Sequence, residues 1–329
     1  MLARGDSLGF SGPSAASPAA FPAWARAVEA PESEAEAAYL AGAALSQLDK
    51  VVRENPPWSG VWRRRQALAA AAASVLRAGR AEDELALRDA FHLTRPGADP
   101  GPAGRRLIAW RELSARSVGH WRLSFEAAAE VLGVRQDEAL QEAIDAAEGC
   151  AGRNRPAPFA AAQVFALTRR DLAPGAGRPS PGGRGGEGEL LAAWLADAVL
   201  AQRLRWPFAL PLRAAPLFAG GGRPAARDVA HDAETTIVFA YAKAAARACE
   251  LSAELGCRAQ KLLEAAPKLR AKGAGAALAA LLDEDSLSAS SKIGGQMSER
   301  GARRLFDRLV ALGAVRELTG RATFRLYGL

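Results

Sequence analysis

From Glu34 to Leu269 the apolar residues of this chain recur at helical spacing, and strand signal is almost absent before residue 314. Each such segment carries one apolar stripe and must bury it against another helix, so the pattern restricts the body of the chain to packed helices. The spacing predicts helices over 34–54, 59–78, 82–93, 105–116, 136–147, 158–170 and 189–204, with Ser124 as the N-cap of a further helix ending at Leu132. Asn55-Pro56-Pro57, Gly79 and Thr94-Arg95-Pro96-Gly97 supply the stops. The segment from Glu189 to Leu204 is the most hydrophobic and is expected at the centre of the core. Trp206 to Pro216 holds three prolines and reads as an extended, buried connection. A long helix is expected over 233–255, with Gly256 capping or kinking it before a continuation over 258–269.

The last sixty residues change character. A short helix is expected over 275–282 and a second from Leu287, with Gly294-Gly295 as the turn after it. Ser298 caps a third helix, on which Ala302, Leu305, Phe306, Leu309 and Leu312 form the inward stripe. Arg300, Arg304 and Arg308 recur four apart on the opposite face, with Arg303 beside them. Gly313 is placed as a C-cap, and Gly320 lies where a hairpin turn belongs, with Arg321 and Arg325 decorating the hairpin. The expected fold class is therefore mainly α: a helical, bundle-like body with a small C-terminal winged helix-turn-helix whose wing is a β-hairpin. The expected division is a disordered tail over 1–33, an all-helical domain over 34–270 with a flexible insertion at 174–188, and the winged helix-turn-helix over 271–329.

Charge follows the same division. The net charge is +7, and 37 of the 43 basic residues are arginine. Residues 292–329 hold eight basic groups against three acidic ones, whereas the rest of the chain holds 35 against 33. The positive potential is concentrated where a polyanion would be steered. Arg300, Arg303, Arg304, Arg308, Arg321, Arg325 and the lesser candidate Lys292 are the expected contacts to double-stranded DNA. The expected function is a DNA-binding protein, such as a transcriptional regulator or a maintenance factor of a plasmid or mobile element. The alternative is a non-enzymatic helical interaction protein whose winged helix docks a protein partner or a second copy of the chain.

Catalytic and cofactor chemistry finds no footing in the sequence. His92, His120 and His231 stand far apart, without a second ligand at metal spacing. The Gly-rich turn at 97–104 lacks the Lys-Ser or Lys-Thr of a phosphate loop. Asp197, Asp228 and Glu234 are expected to be solvated carboxylates. No enzyme activity, cofactor or metal is expected. Cys150, Cys249 and Cys257 lack metal spacing and read as core thiols of a reduced, cytoplasmic protein. No signal-peptide core and no membrane-spanning run is expected. The consecutive Arg63, Arg64 and Arg65 fan round their helix and read as a solvated face with one or two packing stems.

The segments Leu305-Phe-Asp-Arg-Leu-Val-Ala-Leu-Gly313 and Leu318-Thr-Gly-Arg321, together with Tyr327, resemble the winged-helix tail that follows Fic domains and a related family of plasmid-borne proteins of unknown function. Trp62-Arg-Arg-Arg65, Leu93-Thr-Arg-Pro-Gly97 and Pro267-Lys-Leu-Arg-Ala-Lys-Gly-Ala-Gly275 resemble an uncharacterised, all-helical bacterial family. The active-site loop of Fic proteins is missing, and Arg155-Pro-Ala-Pro-Phe159 echoes it without the histidine. The resemblance implies a fold for the C-terminal tail and an absence of nucleotidyl transfer.

Overall fold

A computed structural model describes residues 21–26, 29–95, 97–119, 121–151, 154–172, 186–214, 233–269, 271, 273–291, 293, 297–321 and 323–329. Among them are eleven α-helices and one small sheet. The helices are α1 (Glu34–Glu54), α2 (Ser59–Arg77), α3 (Glu84–Leu93), α4 (Gly101–Leu113), α5 (Trp121–Leu132), α6 (Glu138–Ala151), α7 (Ala157–Asp171), α8 (Glu187–Leu204), α9 (Ala233–Ala265), α10 (Ala274–Asp283) and α11 (Glu299–Ala311). The strands are β1 (Leu287–Ser288), β2 (Arg316–Glu317) and β3 (Leu326–Gly328), antiparallel and ordered β1-β3-β2. Within the expected N-terminal tail, residues 21–26 and 29–33 are described: Ala23–Ala25 forms a 3-10 turn, and Phe21 and Ala25 are buried. Of the expected insertion at 174–188, positions 174–185 lie outside the described residues, and Glu187 and Gly188 already belong to α8.

Alanine-rich surfaces let the helices approach closely, and tryptophans tie them together. α9 packs along α1, α7 packs between α6 and α8, and α2 lies on α4. Twelve consecutive residues of α8, Leu190 to Ala201, are buried, so this helix is covered on all sides as its composition predicts. Each described buried tryptophan donates its indole N–H to another element. Trp58 reaches Ser252 Oγ (3.2 Å) and Trp62 the Ala248 carbonyl (2.9 Å), joining α2 to α9. Trp110 reaches Ser74 Oγ (2.8 Å), Trp194 the Leu113 carbonyl (3.4 Å) and Trp206 Asp49 Oδ1 (2.8 Å). A buried indole N–H needs such an acceptor, so these bonds fix which faces meet. Trp206, Phe208, Ala209, Leu210 and Leu212 are buried, as expected for the proline-rich connection.

Several local expectations are corrected. α9 runs through Gly256 without a break, and Gly256 is buried: tertiary packing outweighs a helix penalty of about 1 kcal/mol for glycine. α5 begins at Trp121, so Ser124 is not a cap; its hydroxyl donates to the Ser117 carbonyl (3.2 Å). Leu287 opens a strand instead of a helix, pairing with Tyr327, and Ser288 pairs with Leu326. The Ser288 N–H donates to Ser291 Oγ (2.9 Å), a local side-chain bond that competes with the helical ladder. Leu312 is exposed, not part of the inward stripe, because α11 ends at Ala311. Cys150 and Cys249 are buried but Cys257 is exposed; burial pushes the Cys249 thiol up to about 12. No helix among the described residues is long and apolar enough to cross a membrane.

The C-terminal elements are seated on α2 and α3 through a buried ion network. Asp285, between α10 and β1, accepts Arg88 Nε (2.6 Å) and Arg88 Nη2 (3.1 Å) and pairs with Arg65 Nε. Arg65 also donates from Nη2 to the Leu329 carbonyl (3.0 Å). Arg64 and Arg111 both pair with Glu284, and His92 Nε2 lies 2.9 Å from Ser286 Oγ. Gly328 sits so close that an added Cβ would lie 2.6 Å from the Asp285 carbonyl oxygen.

Two outcomes follow from this seam. Burial alone would raise the Asp285 carboxyl, but the Arg65 and Arg88 guanidiniums hold it below the usual carboxylate range. A carboxyl lowered on folding stabilises the fold above its unfolded pKa, and that contribution is lost as pH falls through the folded value. Asp285→Asn should therefore cost about 3–5 kcal/mol in urea unfolding near neutral pH, with the gap to wild type shrinking as the pH drops below the carboxylate range. Gly328→Ala should cost about 1–3 kcal/mol, because the neighbour it strikes is backbone that cannot rotate away; an unchanged unfolding midpoint would show that the strand end shifts freely.

Candidate nucleic-acid interface

The exposed face of α11 is built by its own capping and packing. Ser298 Oγ accepts the Gly301 N–H (3.2 Å) and starts the helix. Gly313, in the left-handed region at φ 66°, ends it, with its N–H on the Val310 carbonyl (2.9 Å). Ala302, Leu305, Phe306 and Leu309 are buried, and the Phe306 ring stacks on Tyr327 at 4.6 Å and 14°. At about 100° per residue, that stripe leaves two exposed tracks. Glu299, Arg303 and Asp307 lie toward the sheet, and Arg300, Arg304 and Arg308 lie further round.

The two tracks differ electrostatically. Arg303 pairs with Glu299 one turn before it. Arg325 approaches Asp307 at 3.9 Å, and its Nε donates to the Arg321 carbonyl (3.2 Å). These charges surround a hollow of about 240 Å³ also lined by Ser288, Ser290 and Tyr327, and their signs balance there. Arg300, Arg304 and Arg308 are exposed and make no ion pair among the described residues. Most arginines of the body do face a carboxylate, such as Arg26 on Glu250, Arg155 on Glu234 and Arg105 on Asp99.

The hairpin is held by Glu317, whose Oε1 accepts Thr319 Oγ1 (2.6 Å) and the Gly320 N–H (2.8 Å). The Thr319 hydroxyl bond is the main reason the Glu317 carboxyl is lowered. Gly320 supplies the positive φ of 63° that the turn requires. Beyond it, Arg321 Nη2 reaches back to Asp89 Oδ2 on α3 at 2.6 Å. Of the seven basic residues expected on one surface, the structure thus brings Arg300, Arg304 and Arg308 together as free charges. Arg303, Arg321 and Arg325 are each matched to an acid, and Lys292 lies outside the described residues.

Sequence reasoning missed the residues that seat this surface. Arg65 is nearly buried in the seam, Arg64 is ion-paired there, and Arg63 stacks over Phe208 at 4.7 Å, so the triplet is no solvated face. The available signal was the complementary acid run Asp283-Glu284-Asp285. Asp197, expected in solvent, is fully buried: both its oxygens accept the Arg213 N–H (3.1 and 3.0 Å). Desolvation pushes its carboxyl well above the usual range, and the Arg213 guanidinium lies 4.2 Å from the centre of the Phe165 ring. Asp197 itself lies within the continuous buried run of α8. Asp228, His120 and His231 lie outside the described residues, and no metal-binding group of three acids, histidines or cysteines occurs among the described ones.

Comparison with curated proteins and with solved structures finds no match in either. Comparison with protein families finds one described as a protein of unknown function, DUF1403, matching residues 13–329. That span takes in the helical body, the ion-paired seam and the arginine face alike, and the chain belongs to the DUF1403 family.

Proposed function

We propose that α10, β1, α11, β2 and β3 form a winged helix-turn-helix and that α11 presents Arg300, Arg304 and Arg308 to double-stranded DNA. The observation that carries the reading is the unpaired state of these three arginines on successive turns of one exposed helix face. Two further features support it. The order helix, strand, helix, hairpin, with β1 added to the outer side of β3, is that of a winged fold whose middle helix does not occur among the described residues. A helix of 13 residues is about 20 Å long and slender enough for a major groove about 12 Å wide. Arg300 and Arg304 lie in its first two turns, the part that meets base edges in helix-turn-helix proteins, where the helix dipole also favours phosphate.

The reading fixes the size of the salt effect. Three phosphate contacts correspond to a slope of about −2.7 in log affinity against log salt. Fluorescence anisotropy on a random-sequence duplex at two salt concentrations measures it. Arg304→Ala should cost about 1–3 kcal/mol if it reads a base, without changing the thermal melt, because the buried stripe is untouched. Replacing Arg300, Arg304 and Arg308 together by Gln should flatten the slope almost completely. Wild-type protein that binds no duplex at low salt would end the DNA reading. The second reading, docking of a protein partner, would then take over, supported by Val310 and Leu312, which are 39% and 40% exposed at the end of the same helix.

A further inference from the structure

One hairpin arginine, Arg321, is already occupied by the body of the protein. Arg321 Nη2 lies 2.6 Å from Asp89 Oδ2, and the Asp89 side chain is only 15% exposed while that of Arg321 is 45% exposed. The other Asp89 oxygen, Oδ1, is buried and accepts no hydrogen bond among the described residues. Asp89 therefore depends on Arg321 for compensation: moving Arg321 away leaves a largely desolvated carboxylate without a counter-charge. The contact is also hard to slide. Glu317 locks the turn, Arg325 holds the Arg321 carbonyl, and the adjacent Arg88 and Asp285 seat α3 against the strand end.

Resting on the DNA reading above, we propose that Asp89 is a built-in competitor for nucleic-acid phosphate, holding Arg321 back so that α11 alone engages DNA in the resting protein. A phosphate approaching Arg321 must displace a carboxylate of like charge that stays beside it and is left largely buried. The hairpin engages only where the duplex offers more than Asp89 does. The number of phosphates contacted is thus set by a residue of the helical body, outside the C-terminal elements.

The test is a double-mutant cycle read as salt dependence on a random-sequence duplex. Asp89→Asn keeps the shape of the side chain, releases Arg321, and should steepen the slope of log affinity against log salt by about 0.9. Between about 50 and 200 mM salt that adds roughly a 3.5-fold fall in affinity beyond the wild-type change. Arg321→Gln alone should leave the wild-type slope unchanged, and the Asp89→Asn/Arg321→Gln double variant should return to it. Thermal melts check folding, and Asp89→Ser is the second variant should the asparagine protein not fold. A wild type that binds DNA while Asp89→Asn keeps the wild-type slope overturns the competitor alone, as does a double variant that stays steep. Absence of binding by wild type at low salt overturns the DNA reading, and the competitor with it.

Discussion

A buried ion network centred on the Asp285 carboxylate seats the C-terminal elements of this protein on its helical body. That carboxylate comes from the short link between α10 and β1 and meets Arg65 of α2 and Arg88 of α3, all three largely out of water. The two guanidiniums so placed depend on the carboxylate between them, since removing it leaves two largely buried positive charges facing each other. That asymmetry makes the seam a registration device, not a large source of net stability. It sets where β1 begins, brings the Leu329 carbonyl under Arg65, forces glycine at 328 and points the hairpin turn at Asp89. Whatever the C-terminal surface binds, the body dictates the orientation in which it is presented.

The body solves a different problem. Helices rich in alanine pack closely but carry little shape information, because small side chains interdigitate in many registers. The indole groups supply what alanine lacks. Each has bulk that fits one site and an N–H that must find one acceptor, so Trp58, Trp62, Trp110, Trp194 and Trp206 specify pairings that alanine surfaces alone would leave degenerate. The wholly buried α8 and the proline-rich connection after it then fill the centre without competing hydrogen-bond patterns.

Helix existence was legible because apolar spacing is a local property. The expected 34–54 helix matches α1 residue for residue, and 59–78, 158–170 and 189–204 fall within one or two residues of α2, α7 and α8 at either end. What was not legible depended on partners distant in sequence. Leu287 becomes a strand residue because Tyr327 lies opposite, and Gly256 stays helical because it is buried. Arg65 and Asp285 are 220 residues apart and Arg88 and Asp285 are 197 apart, so neither pairing has a local signature. Asp197 looked solvated because it sits among alanines, but those alanines belong to a helix covered on every side. On the candidate surface, positions and exposure were readable; the pairing of Arg303, Arg321 and Arg325 was not.

That last difference changes the electrostatics. The segment 292–329 carries a net +5 by composition, yet a count of charges treats all its arginines as equal. Geometry divides them. Arg303 and Arg325 face Glu299 and Asp307 across the small hollow, and Arg321 faces Asp89, so their fields largely cancel within a few ångströms. Arg300, Arg304 and Arg308 have no such neighbour among the described residues, and at four positions apart they are spaced by about 6 Å along the helix axis. At physiological ionic strength the screening length is about 8 Å, so adjacent members reinforce one another while charges elsewhere on the molecule are screened out. Apart from the exposed Arg316 on β2, the unpaired positive charge of the described segment is therefore a short stripe along one helix face. A stripe of that kind attracts a linear polyanion lying along it far better than a compact anion at a single point, because only the linear ligand meets all three charges at once.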